Sequence, residues 1–308
     1  MQFMSIIELE ASLRKYYGLL TLLSVFLGFI FPQISVLSPY VPFLLAILVF
    51  SMVIEHDISD FRIIIKHPKS VFSLVTSNFI LYPIIGILFA YFTISSPDIY
   101  TGIILLCFAP SPVIAALWTE MSGGDGTIPL TTSLFSMLLS IGIYPIVLYF
   151  MGLASLNLSV DIFKLLALSI FVPAIIALLL RDKENKYIPL KRKFKVLSAF
   201  VALFIIVIAI ANLSSKILPN ELNIVFLLTI LAIILLMAGF AYGYLLSTLF
   251  KVQKKNKGAF LYTSSMRDGI IPLSVSITYF SYFSTLAPTI LLIVMPFLVT
   301  IVYQLIKE

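Results

Sequence analysis

The hydrophobic residues of this chain fall into ten long runs that are separated by short polar stretches. In windows of about 19 residues these runs are apolar enough for transmembrane helices, and they lack the strict alternation that membrane β-strands show. The pattern therefore predicts an all-α integral membrane protein. The ten predicted helices cover residues 16–34, 40–54, 70–92, 100–121, 127–151, 162–180, 195–213, 222–249, 258–282 and 286–306.

The composition also indicates that the protein lies in a lipid bilayer. Of the 308 residues, 61% are hydrophobic and only 11% are charged, which is too few polar groups to cover a surface in water. The net charge of +6 could suggest a nucleic-acid partner, but the basic residues lie in short loops between apolar runs and not on one face of a soluble domain. The expected partner is the lipid bilayer, and no nucleic acid is expected.

The basic residues also predict an orientation. If the chain crosses the membrane ten times, all but three of its 20 lysines and arginines lie on one side. The exceptions are Lys164 and Lys216 on the opposite side and Arg267 inside an apolar run. Because lysine and arginine are enriched in cytoplasmic loops, we expect a multi-pass protein of the cell membrane with both termini in the cytoplasm.

The basic loop at residues 181–195 divides the runs into two sets of five. An odd number of crossings per half means that two homologous halves would be inverted relative to each other, as in many secondary transporters. The fourth run of each half contains helix breakers near its middle, in the stretches FAPSPV (Phe108–Val113) and SSMRDGIIP (Ser264–Pro272). One such kink is often without function, but two at matching places predict broken helices 4 and 9 that cross at a solute site.

Adjacent charges at membrane depth need partners. Arg267 and Asp268 lie in the second breaker stretch, where a charge costs at least about 2.5–3.5 kcal/mol. They could neutralise each other and lock the crossing, or they could belong to the transport machinery. Neither histidine lies near the membrane centre and no paired carboxylates do, so the sequence does not predict an enzyme.

Several stretches resemble the bile acid:sodium symporter superfamily. The similarity lies in their order and spacing along nearly the whole chain. The stretches are FSMVIEHDISDFRIIIKHPKSV (Phe50–Val71), SNFILYPIIG (Ser77–Gly86), GGDGTIPLTTSLFS (Gly123–Ser136) and FVPAIIALLLR (Phe171–Arg181), while ALWTEMSGGD (Ala116–Asp125) is similar to the arsenite-efflux branch.

The resemblance implies a division of labour within one polytopic unit of residues 1–308. A panel domain of helices 1, 2, 6 and 7 is expected over residues 16–54 and 162–213. A core domain of helices 3–5 and 8–10 is expected over residues 70–151 and 222–306. The implied function is secondary transport of a small solute, with an organic anion as the first expectation. Metalloid efflux and a proton-coupled carrier are the alternatives, although the cysteine of the arsenite branch is replaced here by Ser111. A channel is a less favoured alternative, because it would not need inverted broken repeats.

The resemblance also implies sodium-ligand positions, and here the chain departs from the family. The family's glutamate, glutamine and asparagine at the helix 9 break correspond to Thr263, Arg267 and Asp268. A fixed cation thus stands where a ligand is expected, so we do not expect sodium coupling. The interpretation left open is that the guanidinium replaces the ion while Asp268 contacts the solute or a proton.

The candidate site residues follow from the breaks and the resemblance. Glu55, His56 and Asp57 show no metal-ligand spacing, and neither a metal nor a cofactor is expected. The substrate-binding candidates are Asn78, Pro110, Ser111, Pro112, Thr263, Ser264, Ser265, Met266, Arg267 and Asp268. The ion-coupling candidates are Asn78, Thr132, Ser133, Thr263 and Asp268.

Overall fold

Every regular element is helical in the part of the chain that the structure describes. The computed structural model describes residues 6–54, 68–180, 188–214 and 222–307. This confirms the predicted all-α class. The helices are α1 (Ile6–Ile30), α2 (Val41–Val53), α3 (Pro68–Thr93), α4a (Pro97–Cys107), α4b (Ile114–Met121), α5 (Thr127–Phe150), α6 (Leu156–Leu180), α7 (Ile188–Ser214), α8 (Leu222–Leu249), α9a (Lys257–Ser265), α9b (Ile270–Tyr279) and α10 (Leu286–Lys307).

Seven helical stretches among the described residues are long and apolar enough to cross a membrane, so the chain is a multi-pass membrane protein. The other three predicted segments, the first, fourth and ninth, form no single apolar helix long enough to span the membrane. The apolar part of α1 is only Tyr16–Ile30. The fourth and ninth segments are each interrupted, which leaves pieces too short to span the bilayer alone.

The junction between the first two predicted helices differs from the prediction. The first helix was expected to reach residue 34, but α1 ends at Ile30 and a 3₁₀ helix begins at Pro32. Proline has no N–H and cannot continue an α-helix, yet it suits a first helical position. The 3₁₀ helix Pro32–Tyr40 leads directly into α2, and the two together form a stretch long enough to span a membrane.

Two helices contain a π-helical turn. The turn in α3 covers Ser77–Leu81, and the turn in α6 covers Ala167–Phe171. Each turn ends two residues before a proline, Pro83 or Pro173. The proline ring would clash with a carbonyl one turn earlier, and a widened turn relieves that clash.

The helices pack into neighbouring groups. Helix α1 lies along α7, and α2 contacts both α6 and α7. Elsewhere α8 packs against α9a and α10, α4b packs against α9a, and α4a contacts α3 and α10. The pieces of the two interrupted helices therefore lie among α3, α5, α8 and α10.

Two glycines let α8 approach α9a closely. Gly239 and Gly243 form a G-x-x-x-G pair, a spacing that favours close helix contact in membranes. A Cβ atom on Gly239 would lie 2.2 Å from the Tyr82 hydroxyl and 2.5 Å from the Ser264 carbonyl oxygen. A Cβ atom on Gly243 would lie 2.5 Å from the Phe260 carbonyl oxygen. No real side chain fits these gaps without moving a helix.

The close approach of α8 can be tested by adding one methyl group. We expect Gly239→Ala to lower the free energy of unfolding by about 1–3 kcal/mol, because the new atom overlaps the backbone of α9a. Thermal unfolding of the purified protein measures the change. The control is Gly142→Ala in α5, where a Cβ atom meets nothing within 4 Å. Equal unfolding temperatures for the two variants would contradict the prediction.

Candidate functional site

The interruption of α4 covers Phe108–Val113 and follows from its two prolines. Helix α4a ends at Cys107, since Pro110 and Pro112 cannot donate to the preceding turn. Helix α4b begins at Ile114. In its first turn the amide of Ala115 donates a hydrogen bond to the carbonyl of Pro112, at 3.1 Å. The predicted break is thus present in the structure.

The interruption of α9 covers Met266–Gly269 and meets that of α4. The amide of Asp268 donates to the carbonyl of Pro110, at 2.8 Å. The hydroxyl of Ser111 donates to the carbonyl of Thr263, at 2.7 Å. These two hydrogen bonds join the breaks directly, so the half-helices meet at one place as the paired breakers predicted.

The Arg267 guanidinium is fully buried at this crossing. Its Nη1 atom donates to the side-chain oxygen of Asn78 and to the carbonyl of Met266, the latter at 3.0 Å. The Ser111 hydroxyl oxygen lies 3.5 Å from the same nitrogen. This side of the cation therefore faces oxygen atoms from three elements: α3, the α4 break and the α9 break.

The other side of the guanidinium is satisfied in the same way. Its Nη2 atom donates to the carbonyl of Ser264 at 2.9 Å and to the hydroxyl of Ser77 at 3.2 Å. The ring of Tyr82 lies 3.5 Å from the guanidinium carbon, a cation–π contact. We call the five oxygen atoms around the cation the oxygen cage: Asn78 Oδ1, Ser77 Oγ, Ser111 Oγ, Ser264 O and Met266 O.

The Asp268 carboxylate points to a different partner. Its Oδ1 atom accepts hydrogen bonds from the amides of Ile270 and Ile271, at 2.8 and 3.2 Å, which caps the N-terminus of α9b. Among the described residues Arg267 forms no ion pair with Asp268. The alternative of a self-neutralised pair is therefore wrong in this structure.

The helix break explains how neighbouring charges are stabilised separately. The C-terminal end of a helix carries a partial negative charge and the N-terminal end a partial positive charge. Arg267 bonds to the carbonyls of Ser264 and Met266 at the end of α9a, while Asp268 bonds to the first amides of α9b. Each charge thus meets the helix end of opposite sign, although the two residues are adjacent in sequence.

The hydroxyl groups of α9a are used within their own helix. The Thr263 hydroxyl donates to the carbonyl of Ala259 at 2.6 Å, and that of Ser264 donates to the carbonyl of Phe260. The Ser265 hydroxyl oxygen is 3.4 Å from the carbonyl of Tyr262. The residues still belong to the crossing, but through their backbone carbonyls, since hydroxyls inside helices readily bond back to the preceding turn.

The two ion-coupling candidates of α5 are placed differently. The Ser133 hydroxyl donates to the carbonyl of Pro112 at 2.9 Å, so it contacts the α4 break. The Thr132 hydroxyl is buried and has no hydrogen-bond partner among the described residues. Glu55, His56 and Asp57 lie outside the described residues.

Sequence reasoning missed two residues that contact the guanidinium, Ser77 and Tyr82. Tyr82 lies four residues after Asn78 and so shares its helix face.

A cavity of about 200 Å³ lies beside the crossing. Its inner end includes Pro112 of the α4 break and Met266, Arg267, Asp268 and Gly269 of the α9 break. Side chains of α1, α2, α4b, α7 and α10 complete a mostly apolar wall. The crossing is therefore next to a space that a small solute could occupy.

Comparison with known proteins places the chain in a family. The model of the sodium bile acid symporter family matches residues 42–221, more than half of the chain. A Bacillus subtilis (strain 168) protein named "Uncharacterized sodium-dependent transporter YocS" is 22% identical over 279 residues, which is 89% of this chain and 85% of that protein. The Escherichia coli (strain K12) protein "Putative symporter YfeH" is 34% identical over 76 residues, which is 24% of this chain and 23% of that protein. The chain belongs to the sodium bile acid symporter family, a family of membrane transporters.

Proposed function

We propose that this protein is a secondary transporter that moves a small organic anion across the cell membrane by alternating access, without a bound sodium ion. The observation that carries the proposal is the oxygen cage around Arg267 beside a small apolar cavity. Backbone carbonyls of broken membrane helices are the groups that bind coupling cations in such transporters. Here a covalently attached cation already fills them.

The proposed topology has ten crossings in two inverted halves, with both termini in the cytoplasm. It is supported by the seven full spans, by the apolar part of α1, and by the two interrupted helices that are the fourth of each half. The strong bias of lysine and arginine to one side supports the orientation. Inverted repeats with broken helices at their interface are common among secondary transporters.

The proposed division into a panel and a core domain would allow alternating access by movement of one domain against the other. The packing of α1 and α2 against α7 and of α2 against α6 supports a panel, while the contacts among α3, α4, α5, α8, α9 and α10 support a core. The cavity is lined from both sets of helices. Rocking of one set against the other would therefore expose the cavity to the two sides in turn.

The proposed binding site for the anionic group of the solute is the N-terminus of α4b. The amides of Val113 and Ile114 have no hydrogen-bond acceptor among the described residues, and both residues line the cavity. Free amides at a helix N-terminus favour negative charge. The cavity volume is below the roughly 300–1,000 Å³ of sites for drug-sized ligands, which favours a small solute over a steroid.

Exchange of sodium for potassium tests the coupling. Small carboxylic acids are first screened for thermal stabilisation of the purified protein, and the best one is used for counterflow in proteoliposomes. We expect the same transport rate in sodium and in potassium buffer at fixed pH, because Arg267 repels a second cation from the oxygen cage. Transport that collapses in potassium buffer would show that a sodium ion is bound elsewhere.

A further inference from the structure

The Asp268 carboxylate is only half satisfied by the protein. Both amide hydrogen bonds at the start of α9b go to Oδ1, and Oδ2 accepts none from a described residue. The side chain is partly exposed and lines the cavity beside the crossing. An ionised oxygen in a mostly apolar cavity is costly unless a donor or a cation reaches it.

The neighbouring arginine does not supply that cation. Arg267 directs both terminal nitrogens into the oxygen cage, away from Asp268. The remaining charged residues that line the cavity are Glu120 and Lys195, and both interact with other groups of the protein. The inner end of the cavity therefore has one carboxylate oxygen that no described side chain neutralises.

Hydrogen-bond donors without acceptors belong to residues at the two breaks. They are the amides of Val113 and Ile114, and the buried Nε–H of Arg267, which has no acceptor among the described residues. All three residues line the same cavity as Asp268. The two breaks are joined by the 2.8 Å hydrogen bond from the Asp268 amide to the Pro110 carbonyl, so acceptor and donors share one small region.

We infer that the solute is a small apolar zwitterion of the amino-acid class, whose ammonium group binds Asp268 Oδ2 while its carboxylate meets the free donors. This inference rests on the proposed function: it keeps the carboxylate of the proposed solute and adds an ammonium group, so that the solute has no net charge. An ammonium group is favoured over a hydroxyl because it brings a full positive charge to the buried carboxylate. The apolar wall and the volume of about 200 Å³ suit a short aliphatic side chain.

Four ligands that carry the same isopropyl group test the inference by calorimetric titration of the purified full chain in potassium buffer. They are valine, 2-hydroxy-3-methylbutanoate, 3-methylbutanoate and isobutylamine. We expect valine to bind about tenfold or more tightly than each of the others, because every other ligand leaves one charged or donor group of the site unpaired. The variant Asp268→Asn should lose most of this preference, and its amide oxygen still caps α9b.

The control variant removes a carboxylate elsewhere. Asp161 is exposed and paired with Lys164, so Asp161→Asn should keep the preference for valine. Equal binding of 3-methylbutanoate and valine to the unmodified protein would overturn the zwitterion inference and leave the anion site standing. Equal binding of isobutylamine and valine would overturn the anion site, and with it the proposed function. Binding of none of the four would overturn both.

Discussion

Replacement of Arg267 by methionine is expected to lower the free energy of unfolding by about 3–5 kcal/mol. Methionine has a similar length but no charge, so the oxygen cage would lose every hydrogen bond that the guanidinium donates. Buried polar groups left without partners cost more than the hydrogen bonds themselves contribute. Thermal unfolding of the purified variant in sodium-free buffer measures the loss.

Two further variants separate the causes of that loss. Arg267→Lys keeps the charge but offers one nitrogen in place of a planar fork, so its stability should lie between those of the methionine variant and the unmodified protein. Lys164→Met removes an exposed cation whose ion pair contributes at most about 1 kcal/mol. An unfolding temperature for Arg267→Met as high as that for Lys164→Met would contradict a structural role for the cage.

The breaks in α4 and α9 could be predicted from the sequence because their cause is local. Pro110 and Pro112 remove backbone donors wherever the helix lies, and Gly269 loosens the chain after Asp268. The positions of the half-helices in the structure agree with this reasoning. That the two breaks touch is a property of the tertiary fold, and only their matching places in the two halves indicated it.

The sequence left two arrangements of Arg267 and Asp268 open, mutual neutralisation and separate roles. It could not decide between them, because the direction of each side chain depends on the backbone conformation at the break. There Met266 is extended, with φ −77° and ψ 145°, and Gly269 is again near helical. The extended residue separates the end of α9a from the start of α9b, so the two charges meet opposite helix ends.

In the hydroxyl-rich stretch TSS, residue type did not predict which atoms make the contacts. Thr263 and Ser264 were candidates because of their side chains, yet both hydroxyls donate within α9a. The contacts at the crossing are made by their backbone carbonyls, which accept hydrogen bonds from Ser111 and Arg267. Composition does not distinguish these cases, since every residue before a helix break has a free carbonyl regardless of its side chain.

The double variant Arg267→Gln with Asp268→Asn is expected to fold and to become dependent on sodium. Glutamine removes the cation but adds a neutral oxygen beside Asn78 Oδ1 and the carbonyls of Ser264 and Met266. Asparagine still caps α9b, so the half-helix should stay in place. A sodium ion can then occupy the vacated position, because carbonyl and amide oxygens at broken helices bind such ions.

The readout is transport by this double variant across a series of sodium concentrations at fixed pH and ionic strength. In sodium-free buffer we expect a loss of about tenfold or more relative to the unmodified protein, since an empty oxygen cage destabilises the crossing by more than about 1.4 kcal/mol. Added sodium should restore at least part of the rate and raise the unfolding temperature of the variant. The unmodified protein is the matched control, because Arg267 occupies its cage at every sodium concentration. A double variant whose transport is unchanged at all concentrations would show that the guanidinium only holds the two breaks together and does not stand in for a coupling ion.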